Sequence, residues 1–114
     1  MKFLFIDDDP RIVEVFRRFF SNHSNVAVAE CHSVEEALQV IEEHKPDIIF
    51  LDHHLTPNGD EGLKIVDCLA GRNIKIYSTT SDESVIGEYQ KRRIKVVGKD
   101  ILKIYRIIKE MERE

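Results

Sequence analysis

Apolar residues in this chain fall into two alternating kinds of segment: short unbroken runs and longer stretches with helical spacing. Lys2 to Ile6 (KFLFI) is a run without alternation, as expected of a strand buried on both faces. Asp9-Pro10 then opens a helix, with Asp9 as N-cap and Pro10 at the first helical position. Ile12, Val13, Phe16, Phe19 and Phe20 recur at helical spacing, and the pattern predicts an end near Asn22. Val26 to Cys31 reads as a second strand. Ser33-Val34-Glu35-Glu36 is a capping box, in which the cap and the acid three residues on satisfy free amides reciprocally. It opens a helix that turns Val34, Ala37, Leu38 and Ile41 inward. After Pro46, Asp47 to Leu51 (DIIFL) is the third strand. Asp52 to Glu61 is rich in turn formers, including Pro57-Asn58-Gly59. A helix with Leu63, Ile65, Val66 and Leu69 follows, and Gly71-Arg72-Asn73 stops it. Ile74 to Thr79 is a fourth strand, Ser81 to about Arg92 a short polar helix, and Lys95 to Gly98 a fifth strand. Asp100 caps a last helix with Ile101, Ile104, Tyr105, Ile108 and Met111 along one face.

The five β–α repeats predict a doubly wound α/β domain. Parallel strands need right-handed crossovers, and helices must cover both faces of the sheet. Such sheets hold ligands beyond the carboxyl ends of their strands, where the strand order reverses.

Composition narrows the class. The chain has 114 residues, 42% apolar and 33% charged, which suits one globular domain. No apolar run approaches the ~20 residues of a membrane helix. No signal peptide precedes the first strand, so a cytoplasmic location and no membrane contact are expected. With 21 acidic against 17 basic residues the net charge is −4, whereas general nucleic-acid binders carry a basic excess. Direct nucleic-acid contact is therefore not expected, and Lys91-Arg92-Arg93 reads as the solvated end of a helix. Cys31 and Cys68 lack a CxxC pattern and read as reduced, structural cysteines.

The chemistry lies just after the strands. Asp7, Asp8 and Asp9 follow the first, Asp52 the third, Thr80 and Ser81 the fourth, and Lys99 the fifth. Three of these carboxylates (Asp7, Asp8 and Asp52), a hydroxyl and an ammonium thus converge on one edge of the sheet. Clustered carboxylates repel one another and need a cation between them. Oxygen ligands suit Mg²⁺. One helix cap would not need three consecutive acids. His53 and His54 suggest a metal site at first sight, but adjacent histidines on an extended backbone point apart, and no third His or Cys has ligand spacing.

The segments Phe3-Leu4-Phe5-Ile6-Asp7-Asp8-Asp9-Pro10, Asp47-Ile48-Ile49-Phe50-Leu51-Asp52 and Val96-Val97-Gly98-Lys99, with the hydroxyl residues ending strand four, resemble the response-regulator receiver family of two-component signalling. The resemblance covers essentially the whole chain, residues 1–114. It implies a flavodoxin-like strand order 2-1-3-4-5. It also implies that Asp52 accepts a phosphoryl group from a sensor histidine kinase or histidine phosphotransfer protein. Asp8 would then ligate Mg²⁺ directly, Asp7 more often through water, and the backbone carbonyl of His54 would join them. Thr80 would bond one phosphoryl oxygen, with Thr79 the alternative, and Lys99 would pair with another. Such a domain is a switch for a downstream protein target rather than a metabolic enzyme. Its fourth helix, fifth strand and fifth helix form the expected homodimer face.

The chain departs from the family pattern at several points. Pro57 and Gly62 stand five and ten residues after Asp52, where four and eight are common. Asp100 replaces the proline usual after the lysine, so a trans Lys99–Asp100 peptide is expected, with Asp100 near enough to pair with Lys99. Val96 stands where an aromatic residue is typical. These departures leave a second reading, a degenerate receiver acting as a phosphorylation-independent interaction module. A haloacid-dehalogenase-type hydrolase would need an acid where His54 stands. Helical pattern runs to the last residues, so the chain reads either as a single-domain regulator or as a receiver excised from a longer one.

Overall fold

A computed structural model describes residues 1–113. Five parallel strands, Phe3–Asp7 (β1), Val26–Glu30 (β2), Ile48–Leu51 (β3), Lys75–Ser78 (β4) and Lys95–Val96 (β5), lie in the order β2-β1-β3-β4-β5. Five helices alternate with them: Pro10–Phe19 (α1), Val34–His44 (α2), Glu61–Cys68 (α3), Ile86–Lys91 (α4) and Ile101–Glu112 (α5). A single 3₁₀ turn, Glu83–Val85, leads into α4. This is the doubly wound order that the repeats and the resemblance predict.

The unbroken apolar runs sort their side chains by the pleat. Leu4 and Ile6 of β1, with Ile49 and Leu51 of β3, face α2, α3 and α4 in an aliphatic layer that includes Ala37, Ile41 and Ile65. Phe3, Phe5, Ile48 and Phe50 face the opposite way, toward Phe16 of α1, Phe20 just beyond it, and Ile104 and Ile108 of α5. This second layer is aromatic: Phe5 stacks on Phe16 at 4.0 Å between ring centroids, and Phe50 on Tyr77 at 5.3 Å. Burying both faces of β1 and β3 is the main stabilising contribution, at ~25 cal/mol per Å² of apolar surface removed from water.

The caps differ in detail from the sequence pattern. Asp9 caps α1 through the Arg11 N–H at 2.9 Å. Ser33 caps α2 through the Glu36 N–H at 3.1 Å. The return half of that capping box is not made; the Glu36 carboxylate meets the Ser33 hydroxyl at 3.5 Å instead. Helix α1 stops at Phe19 rather than near Asn22, because Phe20 and His23 close a turn through His23 N–H and the Phe20 carbonyl at 2.9 Å. Strand β5 is shorter than Lys95 to Gly98. Gly98 has φ +72° and bends the chain away, a conformation that suits glycine.

Two expectations about single residues are corrected. Cys31 is buried in the aliphatic layer, but Cys68 is exposed on α3, so only the first is structural. Asp100 does not pair with Lys99; its carboxylate caps α5 through the Leu102 and Lys103 N–H groups at 3.1 and 3.2 Å. The Lys99–Asp100 peptide is trans, as expected. In the basic cluster, Arg92 forks onto Asp67 at 2.8 and 3.1 Å and joins α4 to α3, a bridge worth ~1 kcal/mol or less at a surface. Among the described residues, no helix is long and apolar enough to cross a membrane.

Candidate functional site

Strand order reverses between β1 and β3, and the crevice expected there carries the acidic cluster. Asp7 is the last residue of β1 rather than the first beyond it, and its side chain is fully buried. Asp52 follows β3 directly and is 5% exposed. Asp8 is half-buried beside them. Each of the three offers a carboxylate oxygen within 4.8 Å of the others.

Lys99 reaches in from the β5–α5 turn. Its Nζ lies 3.1 Å from Asp7 Oδ2 and donates to Asp52 Oδ2 at 3.3 Å. The left-handed turn at Gly98 folds the chain back and aims this side chain at the crevice. Backbone N–H groups complete the cradle: His53 donates to Asp52 Oδ1 and Asp9 to Asp7 Oδ1, both at 2.9 Å.

The charge balance follows from burial. Desolvation pushes the Asp52 carboxyl up to about 7, and the Asp7 charge pushes the same way, while Lys99 only partly offsets them. Asp7 is raised as well, chiefly by burial. Burial works against the Lys99 ammonium, but Asp52 and Asp7 outweigh it and hold its pKa above the ordinary lysine value. One ammonium is too little charge for two buried carboxylates and a third nearby.

Asp7 Oδ2 shows where the deficit sits. It is buried and accepts no hydrogen bond of good geometry, despite its contact with Lys99. An all-oxygen donor set with an unsatisfied buried oxygen fits a hard dication such as Mg²⁺. The softer ions that select imidazole or thiolate have no such cluster among the described residues.

The rest of the cleft, about 260 Å³, is lined by His54, Thr56, Pro57, Thr80, Ser81 and Asp82 with Asp8, Asp52 and Lys99. Thr80, not Thr79, lines it; the Thr79 hydroxyl is buried without a partner. Thr80 Oγ1 accepts the Asp82 N–H at 3.1 Å. The two histidine rings do not point apart as their adjacency suggests; they meet edge to face, 4.4 Å between centroids, but bind different partners. His53 turns inward and is 1% exposed, while His54 leans across the cleft to Asp82 at 2.8 Å. That contact raises the His54 pKa; Ser84 and His54 together pull Asp82 down to about 2. His54 Nδ1 meets the Gly59 carbonyl.

The long loop after Asp52 is braced from within. Glu61 turns back from α3 and accepts from the Leu55 and Thr56 N–H groups at 3.0 and 3.3 Å and from the Thr56 hydroxyl at 2.7 Å. Gly62 donates its N–H to the His53 carbonyl at 2.9 Å. A Cβ there would lie 2.8 Å from the Asp52 carbonyl oxygen and 2.3 Å from the Tyr89 hydroxyl, so only glycine fits. The braces Glu61 and Thr56 carry no motif in the sequence. Nor does Tyr89, which binds the buried His53. Gly62 alone had a signal, as a glycine displaced from its usual spacing.

Comparison with known proteins defines the class. Residues 3–103 match the response regulator receiver domain, and the chain belongs to that family. Such domains are signalling modules that work between histidine kinases and downstream effectors. The sensory transduction protein LytT of Enterococcus faecalis is 33% identical over 92 residues, or 79% of this chain and 38% of that protein. The chain thus spans well under half of that relative. Among solved structures, the N-terminal domain of an uncharacterised Wolinella succinogenes protein superposes with a TM-score of 0.80 at 20% identity, over 99% of this chain and 94% of that one. The response regulator TrrA of Thermotoga maritima, solved in complex with Mg²⁺ and BeF, superposes with a TM-score of 0.72 at 20% identity, over 96% and 98%. At these identities the likeness concerns the fold.

Proposed function

We propose that residues 1–114 act as a phospho-acceptor receiver in which Asp52 takes a phosphoryl group from a phosphohistidine of a sensor histidine kinase or histidine phosphotransfer protein. The carrying observation is the set of Asp52, Asp7, Asp8 and Lys99 in one crevice, with Lys99 Nζ 3.3 Å from Asp52 Oδ2, in a chain of the receiver family. A carboxylate oxygen of Asp52 attacks phosphorus; the new P–O bond forms as the P–N bond breaks, and the leaving imidazole takes a proton from solvent. Such transfers need positioning and charge neutralisation more than covalent help. The Lys99 ammonium neutralises one phosphoryl oxygen, and the Thr80 hydroxyl at the cleft wall bonds another. Asp7, Asp8, Asp52 and the His54 carbonyl are the residues that would hold Mg²⁺. Bound there, Mg²⁺ supplies the positive charge that Lys99 alone cannot. Burial keeps the attacking oxygen from bulk water, and the His53 N–H fixes the rotation of the carboxylate.

Phosphorylation would then shift the population of surface conformations that a downstream partner reads. Incubation with acetyl phosphate and Mg²⁺, followed by intact-mass analysis, tests the reading. One phosphoryl adduct is expected in the wild type and in Asp47→Ala, and none in Asp52→Ala. An unmodified wild type would sink it.

A further inference from the structure

Tyr89 stands apart from the other tyrosines. It is fully buried and lies in the aliphatic layer rather than the aromatic one. A buried phenol needs a hydrogen-bond partner. This one has His53 Nδ1 at 2.8 Å, and the two rings meet edge to face at 5.5 Å.

The junction continues through His53, whose backbone N–H donates to Asp52 Oδ1 at 2.9 Å. A single hydroxyl is thus bound to the immediate neighbour of Asp52. The fit is tight, because Gly62 of α3 leaves no room for even a methyl beside the Tyr89 oxygen.

Apart from the Arg92–Asp67 bridge to α3, helix α4 has little else to hold it. It is six residues long, its N-terminus has no side-chain cap, and Tyr89 is its one fully buried residue. Its place against the sheet therefore depends heavily on this side chain. At position 96, where the family's usual aromatic reporter would stand, the chain has a half-buried valine.

We propose that Tyr89 is the positioning residue through which the state of Asp52 reaches α4, by way of His53. The proposal rests on Asp52 being the phospho-acceptor. A phosphoryl group on Asp52 changes what the His53 N–H binds. His53 then re-pairs with the phenol, and α4 follows its anchor. Close-packed layers change between discrete arrangements rather than deforming smoothly. The coupling is reciprocal, so the phenol also sets how readily the site takes its ligand.

Beryllofluoride with Mg²⁺ serves as the probe, its affinity read by fluorine NMR and the state of α4 by amide exchange over residues 86–91. In the wild type, binding should change exchange across α4. In Tyr89→Phe, which keeps the ring, the affinity should change about five-fold or more, and α4 exchange should no longer respond. Tyr77→Phe, in the opposite layer, should behave as wild type. An α4 response preserved in Tyr89→Phe overturns the proposal. The double-mutant cycle of Asp52→Asn with Tyr89→Phe, measured by urea unfolding of the unmodified chain, probes the same link without ligand. Non-additive stabilities support it and additive ones refute it. A wild type that takes up no beryllofluoride counts against the acceptor reading, and the cycle then still decides the role of Tyr89.

Discussion

Neutralising Asp52 should stabilise the Mg²⁺-free chain, by an amount that depends on pH. The carboxyl has a pKa of about 7 in the fold, against 3.8 for an ordinary aspartate. Between those values the folded state holds a proton that the unfolded state has released. Stability therefore falls as pH rises from about 4 to about 7, and above that the penalty is complete. At 1.36 kcal/mol per unit the interval of roughly 3 units corresponds to ~4 kcal/mol at the most. Asp7 is raised for the same reason and adds to the slope. Asp52→Asn removes the larger part but leaves Lys99 its contact with Asp7, so a gain of ~1–3 kcal/mol at pH 8 is expected, with little change at pH 4. The assay is urea unfolding from pH 4 to 8 in EDTA, repeated with Mg²⁺. With Mg²⁺ the order should invert, because a ligand that binds only the folded state stabilises it and the variant has lost a carboxylate. Parallel pH curves for wild type and variant, or an Asp52→Asn chain less stable at pH 8 without metal, would refute the reasoning.

Other perturbations probe neighbouring parts. Lys99→Met leaves two buried carboxylates without their ammonium, so urea unfolding should show a loss that is larger at pH 8 than at pH 5. Gly62→Ala forces a Cβ to within 2.8 Å of the Asp52 carbonyl oxygen, and a loss of ~2–3 kcal/mol is expected by the same method. Glu61→Ala removes the brace on Leu55 and Thr56 and should make the loop over residues 56–60 the first site of limited proteolysis, with near-native thermal unfolding elsewhere. Ser33→Ala removes the α2 cap and should cost about 1 kcal/mol; an unchanged unfolding midpoint would show that Glu36 finds another partner.

The fold was legible because β1 and β3 are buried on both faces, which makes their sequences unbroken apolar runs. Their aspartates were legible for a related reason: charge at the end of such a run stands out. Strands β4 and β5 gave weaker boundaries, since two ladder residues suffice for the partly exposed β5 and the sequence continues with apolar Val97. Side-chain partnerships across the fold were not legible. Tyr89 reads as an ordinary apolar position of a polar helix, and nothing local to it points to His53, 36 positions away. Asp100 beside Lys99 suggested an ion pair, but the free amides of α5 take the Asp100 carboxylate first. Cys68 looked like Cys31 because exposure is a property of the helix face, and α3 is too short for its pattern to separate the faces sharply.

The segregation of aromatic and aliphatic layers has an optical consequence. The chain contains no tryptophan and three tyrosines. Tyr77 and Tyr105 belong to the layer under α1 and α5, and Tyr89 alone sits in the other. Ultraviolet signals of this protein therefore come from tyrosines whose surroundings differ by side of the sheet. Subtracting the spectrum of Tyr89→Phe from that of the wild type isolates a single chromophore next to the acidic crevice, so the molecule carries its own label for events there.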